Sequence, residues 1–351
     1  MQTPEISVII PVYNVAKYLP ECLNSLKRQT FMDFEAVCVN DGSSDGSLDI
    51  LKEYAASDGR FRIIDKENEG SALSRKKGIS EARGNIIYFL DADDALEENA
   101  LDESVESMNE CHSEMAYVKY CEYDGNIRKP YPDSDLSSCF PKGTDFSSFS
   151  FKGADSGEAL LNKACCAMWS SAVKADLFRR YNDWFFPEKN LTLIEDVPLH
   201  CQLNLRAESI SFCNKSLYLY RNSREGSTLS SLGKSDRAEG IFVTVSEVKR
   251  IMMEAGVFER LFSDFVLFAV SHIKVIYASL EESFRESYFQ KMRSAFKELQ
   301  INGSLLKKLR YDNYVFCLAV LKSDSHEELE SNIKGFKYYM LKSFYKLLQA
   351  V

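Results

Sequence analysis

Nearly unbroken apolar runs occupy Ile6–Val12, Phe34–Val39, Phe61–Asp65 and Asn85–Leu90. Each is four to eight residues long or close to it, ends in a polar cluster, and reads as a buried strand. Between them, Leu19, Leu23 and Leu26 recur at helical spacing within Ala16–Lys27, and Ser47–Ala56 and Ala72–Ala82 carry similar patterns. Alternating strand and helix signals predict an α/β chain with a doubly wound, mainly parallel sheet. In such sheets ligands bind outside the carboxyl ends of the strands. Tyr13-Asn14, Asp41 and Asp91-Ala92-Asp93-Asp94 stand at those ends and are expected to meet in one crevice.

Past Glu97 the pattern loosens. Leu101, Val105 and Met108 predict a helix, Met115–Tyr123 alternates like a strand, and Ser134–Ser156 reads as a long polar loop. A helix is predicted from Glu195-Asp196 to about Ala207, and a short strand over Ser216–Tyr220. From Ser235 onward the signals are helical, with Ile241, Val245, Val248 and Met252 on one face. These patterns predict a first domain over residues 1–230, with halves 1–100 and 101–230, followed by a helical domain over 231–351.

The 351 residues carry a net charge of -9, with 45% hydrophobic and 27% charged residues. That is globular composition, and its acidity argues against a dedicated nucleic-acid binder. The acid is uneven. Ser235–Val351 holds 17 Lys and Arg against 15 Asp and Glu, while the remainder holds 26 against 37. The ten cysteines include no C-x-x-C, and Met1-Gln2-Thr3-Pro4 lacks the basic start and apolar stretch expected of a signal peptide. Together these lead us to expect a cytoplasmic chain with free thiols. No apolar stretch reaches the roughly 20 residues of a membrane span. The tail Ile333–Leu348 does show a basic amphipathic pattern, which suits either an anionic membrane surface or packing on the helical domain.

Three sites carry candidate chemistry. Asp91, Asp93 and Asp94 crowd one strand end, which is costly unless a cation shares the site. Hard oxygen ligands of this kind suit Mg²⁺ or Mn²⁺, with a substrate diphosphate completing the shell; a solvated turn capping the next helix is the plain alternative. Asp41 can accept the imide N–H of a uracil-type base, or simply shape a turn. Arg75, early in a helix, can contact phosphate or pair with Asp93, or remain a surface arginine. No G-x-G-x-x-G follows the first strand, which argues against a dinucleotide-binding dehydrogenase. Nor does a Gly-rich loop with Arg and Lys stand there, which argues against a sugar-nucleotide pyrophosphorylase.

Four ordered segments, ISVIIPVYN, VNDGSSDGS, NEGSALSRKKG and GNIIYFLDADD, resemble those of family 2 glycosyltransferases of the GT-A fold. Two later segments, FFPEKNLTLIEDVPLH and YLYRNSREGSTLS, are also similar to that family, so the resemblance runs from about Ile6 to Ser230. Asn40 stands where the family usually has the first Asp of a pair, Lys76 replaces an Asn, and Trp169–Val173 matches only loosely.

The resemblance implies residue roles. Pro11, Val12, Tyr13 and Asn14 would line the base and ribose, with Asp41 on the base, and Arg75, Asp91, Ala92 and Asp93 would also bind the donor. Asp93, Asp91 and Asp94 would serve the metal. Asp196 would be the catalytic base, with Glu195 orienting it or the acceptor; both could instead be ordinary first-turn acids of a helix. His200, one turn on, is a candidate further metal ligand, and Arg221 and Arg224 could reach the diphosphate. The implied activity is inverting transfer of a sugar from a nucleoside diphosphate, UDP favoured, to a saccharide or lipid-linked acceptor in bacterial polysaccharide assembly. The competing reading is a catalytically silent nucleotide-binding or scaffold module of the same fold. Peripheral contact with the inner face of a membrane through the basic tail is a further expectation.

Overall fold

The apolar runs Ile6–Val12 (β1), Phe34–Asp41 (β2), Phe61–Lys66 (β3) and Ile86–Phe89 (β4) form parallel neighbours in the order β3-β2-β1-β4. β2 and β4 are buried along their whole length and β1 at every residue but Pro11, as expected of strands covered on both faces. The sheet then becomes mixed. Ser171–Lys174 (β9) runs antiparallel to both β4 and Met115–Tyr123 (β6), Ile210–Arg221 (β10) runs parallel to β6, and Ala95–Leu96 (β5) closes the path antiparallel to β10. Arg128–Pro130 (β7) pairs with β6, and Ser150–Phe151 (β8) with β10. The parallel expectation therefore describes the first half of the sheet. Register over β9, with only four residues, is imposed by its two neighbours.

The computed structural model describes residues 3–125, 128–130, 144–145, 150–152, 161, 167–188, 194–221, 236–299 and 311–334. Its contacts divide the chain into two compact units, Met1–Lys189 with Glu195–Arg224, and Asn190–Ile194 with Glu225–Val351. The boundary expected at residue 230, Arg224, most of Ser134–Ser156 and all but the start of Ile333–Leu348 lie outside the described residues.

Helices Leu19–Lys27 (α1), Ser47–Ser57 (α2), Ser71–Glu81 (α3), Ala100–Glu110 (α4), Ala175–Arg180 (α5) and Asp196–Arg206 (α6) belong to the first unit. α1 starts at Leu19 rather than Ala16, because Val15 C=O accepts the Tyr18 and Leu19 N–H groups in a turn and Pro20 suits the first helical turn. α3 packs closely on β1. A Cβ at Gly78 would lie 2.4 Å from Ile9 Cγ2, so only glycine permits this approach. Arg75 stands three residues earlier, on the same face, and is 4% exposed.

The second unit contains Gly240–Glu254 (α7), Phe262–Ser279 (α8), Glu282–Glu298 (α9), Tyr311–Lys322 (α10) and His326–Lys334 (α11). Ile241, Val248 and Met252 are buried on the predicted face of α7, and Val245 is half-buried. By length and composition alone, α8 is apolar enough to cross a membrane. Phe265, Phe268, Val270 and Ile273 of that helix are buried with Tyr288, Phe289 and Phe296 of α9 in the core of this unit.

Candidate active site

The crevice begins where β1 and β2 end. Asn14 adopts a left-handed backbone (φ 50°), and its Oδ1 accepts the Ser44 N–H at 2.8 Å while its own N–H donates to Ser43 Oγ. The Val15 N–H donates to Ser47 Oγ and the Ala16 N–H to Asp45 Oδ2, both at 3.0 Å. Most of the polar cluster after β2 thus braces the loop after β1. That loop leaves Pro11 half-buried, Val12 buried and Tyr13 47% exposed.

Asp41 is buried at the end of β2 and organises the loop before α3. Its Oδ1 accepts the Glu69 N–H at 2.9 Å and a bond from Lys66 Nζ, and its Oδ2 accepts the Gly70 N–H at 2.8 Å. A carboxylate offers about four lone-pair sites, so one acceptor site remains after these three donors. Gly70 occupies φ 97°, a conformation that a side chain would strain, and turns the chain into α3.

Arg75 is the centre of the site. Its Nη2 donates to Asp91 Oδ1 at 2.8 Å, and its Nη1 donates to Asp196 Oδ1 at 2.6 Å and lies 3.8 Å from Glu195 Oε1. One guanidinium therefore joins the turn after β4 to the start of α6, which lies 121 residues beyond Arg75 itself. Burial alone would lower its pKa, but Asp196, Asp91 and Glu195 outweigh that effect and hold it firmly charged. Ser71 Oγ, in the first turn of α3, donates to Glu195 Oε1. The Met168 N–H approaches Asp196 Oδ2 at 3.5 Å.

Burial dominates at Asp196 and Asp91. It pushes Asp196 up to about 7; Arg75 opposes the shift, and Glu195 and Asp91 add to it. Asp91 is raised for the same first reason, again against Arg75. The chain enters α6 through Ile194 at φ 57°, an unfavourable setting for a β-branched residue, directly before the two acids.

The turn Asp91–Asp94 is closed by the Asp94 N–H on Asp91 C=O at 3.0 Å. Asp93 is half-buried, while Asp94 is 2% exposed and faces inward. Tyr218 Oη donates to Asp94 Oδ2 at 2.6 Å, and the Arg221 N–H donates to Asp94 Oδ1 at 2.7 Å. Burial, with Asp93 and Asp91 nearby, holds Asp94 well above the usual carboxylate range. Ala92 is buried within the turn.

Arg221 is held by Glu21 and the Asp93 carbonyl, between the rings of Tyr18 and Tyr123 at 5.1 and 5.3 Å. His200 lies in the interior, its ring 5.4 Å from Tyr117 and its Nδ1 3.2 Å from Asn204 Nδ2. Burial pushes it down to about 3, so the ring is neutral. Ser71, Met168 and Tyr218 are contacts that motif reading did not single out, although Ser71 and Tyr218 lie inside quoted segments.

Among the described residues, no group of three or more His, Cys, Asp or Glu is arranged to hold a metal. Both Asp94 oxygens and Asp91 Oδ1 already accept protein donors. The residues present thus fit a cation bound through one or two carboxylates and completed by substrate phosphate, which is the usual habit of Mg²⁺, better than a full protein cage.

The family model "Glycosyl transferase family 2" matches residues 7–178. Glycosyltransferase GlyA of Streptococcus pneumoniae is 34% identical over 62% of this chain, but the match spans 30% of GlyA. EpsH of Bacillus subtilis is 31% identical, over 63% of this chain and 62% of its own length. The chain thus spans less than two thirds of either relative. Glycosyltransferase GlyG of S. pneumoniae is 31% identical over 64% of this chain and 72% of its own length. The crystal structure of Staphylococcus aureus TarS 1-349 with UDP-GlcNAc superposes over 98% of this chain and 92% of that one, with a TM-score of 0.69 at 20% identity. A mannosyltransferase from Pyrobaculum calidifontis, solved with GDP-Man and Mn²⁺, has a TM-score of 0.52 at 13% identity, over 94% of this chain and 87% of that one. With the described parts of its motif-bearing segments gathered into one crevice of a GT-A sheet, the chain belongs to glycosyltransferase family 2.

Proposed function

We propose that this enzyme moves one sugar from a nucleoside diphosphate, UDP favoured, to a saccharide or lipid-linked acceptor with inversion, using Asp196 as the general base. The observation that carries the reading is the Arg75 bridge, which sets Asp196 beside the turn that contains Asp91 and Asp93. A carboxylate with a pKa near 7 is matched to taking a proton at neutral pH. In the proposed step Asp196 accepts the proton of an acceptor hydroxyl. That oxygen attacks the anomeric carbon on the face opposite the nucleotide, and the bond to the diphosphate oxygen breaks. Arg75 orients Asp196, and Ser71 orients Glu195, which positions the acceptor.

On this reading the remaining acceptor site of Asp41 takes the imide N–H of the base, and Pro11, Val12, Tyr13 and Asn14 line base and ribose. Asp93, with Asp91, would hold Mg²⁺ or Mn²⁺, which when bound offsets the charge developing on the leaving diphosphate. Charge supports this. Asp91, Glu195 and Asp196 surround one guanidinium, with Asp93 beside Asp91, an environment hostile to a bare diphosphate. The Arg75 Nε–H, buried without a hydrogen-bond partner among the described residues, is a donor left for a substrate oxygen.

The acceptor class is supported by TarS, whose name describes a poly(ribitol-phosphate) β-N-acetylglucosaminyltransferase. The proposal includes a role in bacterial polysaccharide assembly and a cytoplasmic site of action. It divides the chain near residue 230 and gives the helical part an acceptor or membrane role, the latter supported by the basic pattern of Ile333–Leu348. The test is thermal unfolding with UDP-, GDP- and dTDP-sugars, each with and without Mn²⁺. Ligands of the folded state raise the transition by mass action. A UDP-sugar is expected to give a Mn²⁺-dependent rise; no response to any donor would overturn the proposal.

A further inference from the structure

The Asp91–Asp94 turn is tied to the end of β10 by more contacts than its closure requires. The Tyr218 hydroxyl reaches both ends of the turn, accepting the Asp91 N–H at 3.2 Å and donating to Asp94 Oδ2 at 2.6 Å. Three residues on, the Arg221 backbone N–H fills Asp94 Oδ1 at 2.7 Å, and the Arg221 Nε–H holds the Asp93 carbonyl at 2.9 Å. Asp91, Asp93 and Asp94 are thus each fastened to one strand. The neighbouring ladder, Tyr218 with Leu96 and Leu219 with Ala95, fixes that strand end to the residues just after the turn.

Packing explains the Tyr218 ring but not its hydroxyl. The ring is fully buried and stacks on Trp169 at 4.2 Å and 15°. Phenylalanine would fill the same space. A buried carboxyl at 94 is likewise costly unless its oxygens are needed as acceptors, and here each has one donor. The two features explain each other: the hydroxyl is present to hold the carboxyl, and the carboxyl to hold the turn.

We infer that Tyr218, Asp94 and Arg221 form a positioning clamp that sets the turn presenting Asp91 and Asp93 to the donor and its cation, with Asp94 acting through the turn rather than as a metal ligand. The inference rests on the donor-binding reading of that turn. Groups that orient a metal's ligands typically contribute 10–100-fold to affinity or activity.

The experiment is isothermal titration of UDP in the presence and absence of Mn²⁺ into wild type, Tyr218→Phe, Asp94→Asn and the double variant, with thermal unfolding to measure the folded fraction. Tyr218→Phe keeps the stack on Trp169, and Asp94→Asn keeps the volume. Each single variant is expected to weaken Mn²⁺-dependent UDP binding about 10-fold or more per folded molecule. The double variant is expected to lose less than the product of the two single losses, since both singles break the shared Tyr218–Asp94 contact. A purely structural role would lower the folded fraction and leave the affinity of folded molecules unchanged, which would overturn the clamp. So would multiplicative losses in the double variant, or loss of the Mn²⁺ response in Asp94→Asn with wild-type binding in Tyr218→Phe. Wild-type protein that binds no UDP with Mn²⁺ would sink the donor reading itself, and is distinguishable because no variant is then needed.

Discussion

Arg75→Lys is the sharpest perturbation of the site, because it keeps the charge and removes the fork. The guanidinium spans Asp91 at 2.8 Å and Asp196 at 2.6 Å with two different nitrogens. An ammonium is a compact point charge and cannot reproduce that planar bridge. At least one charge-assisted hydrogen bond is lost, and one carboxylate is left buried with less compensation. Such a loss costs about 2 kcal/mol. For a unit of this size that corresponds to a fall of roughly 4–8 °C in the unfolding midpoint. The kinetic effect is larger, since displacing a reacting group by about 1 Å costs on the order of 100-fold. The assay is release of free nucleotide from the donor found by the thermal screen, with scanning calorimetry on the same preparation. An Arg75→Lys protein with wild-type midpoint and wild-type turnover would refute the argument that one cation holds Asp91 and Asp196 together.

Other consequences are also measurable. Asp196, raised to about 7 by burial, must lose its proton to act as base, so kcat/KM is expected to fall about tenfold per pH unit below that value. The linked stability effect has the opposite direction. A folded-state pKa above the unfolded one favours the protonated form, so this residue's contribution is full below about pH 4 and is lost as pH rises through about 7. Comparing the pH dependence of the unfolding midpoint in wild type and Asp196→Asn isolates it. Chelation by EDTA, or Asp93→Asn, is expected to weaken UDP binding by an order of magnitude or more, measured by titration calorimetry. Gly78→Ala is expected to destabilise by about 1–3 kcal/mol, because its Cβ would lie 2.4 Å from Ile9 Cγ2; denaturant unfolding measures it.

Much of the first unit is legible in the sequence because its information is local. β1, β2 and β4 are buried on nearly every residue, and such strands need little context to be read. The start of α6 at Glu195-Asp196 is also legible, from the apolar pattern that follows the two acids. Arg75 pairs with Asp91 and Asp196, where the sequence left phosphate contact, Asp93 and a surface position open. β5 and β9 escape notice because two and four residues carry too little pattern, and their pairing is supplied by neighbours. The inward turn of Asp94 is likewise invisible in Asp91-Ala92-Asp93-Asp94. It depends on Tyr218, 124 residues away, and nothing in a run of acids says which one faces the protein. Arg221 reads as a cation for phosphate, yet its partners are Glu21, the Asp93 carbonyl and two aromatic rings.

On the proposed mechanism Asp196 performs proton transfer in a site whose donor binding is set elsewhere. The direct measurement is Asp196→Asn assayed for sugar transfer and, on the same sample, for UDP-sugar binding with Mn²⁺. Transfer is expected to fall by about two to four orders of magnitude while binding stays within a few-fold of wild type. Full transfer activity in that variant would contradict the account.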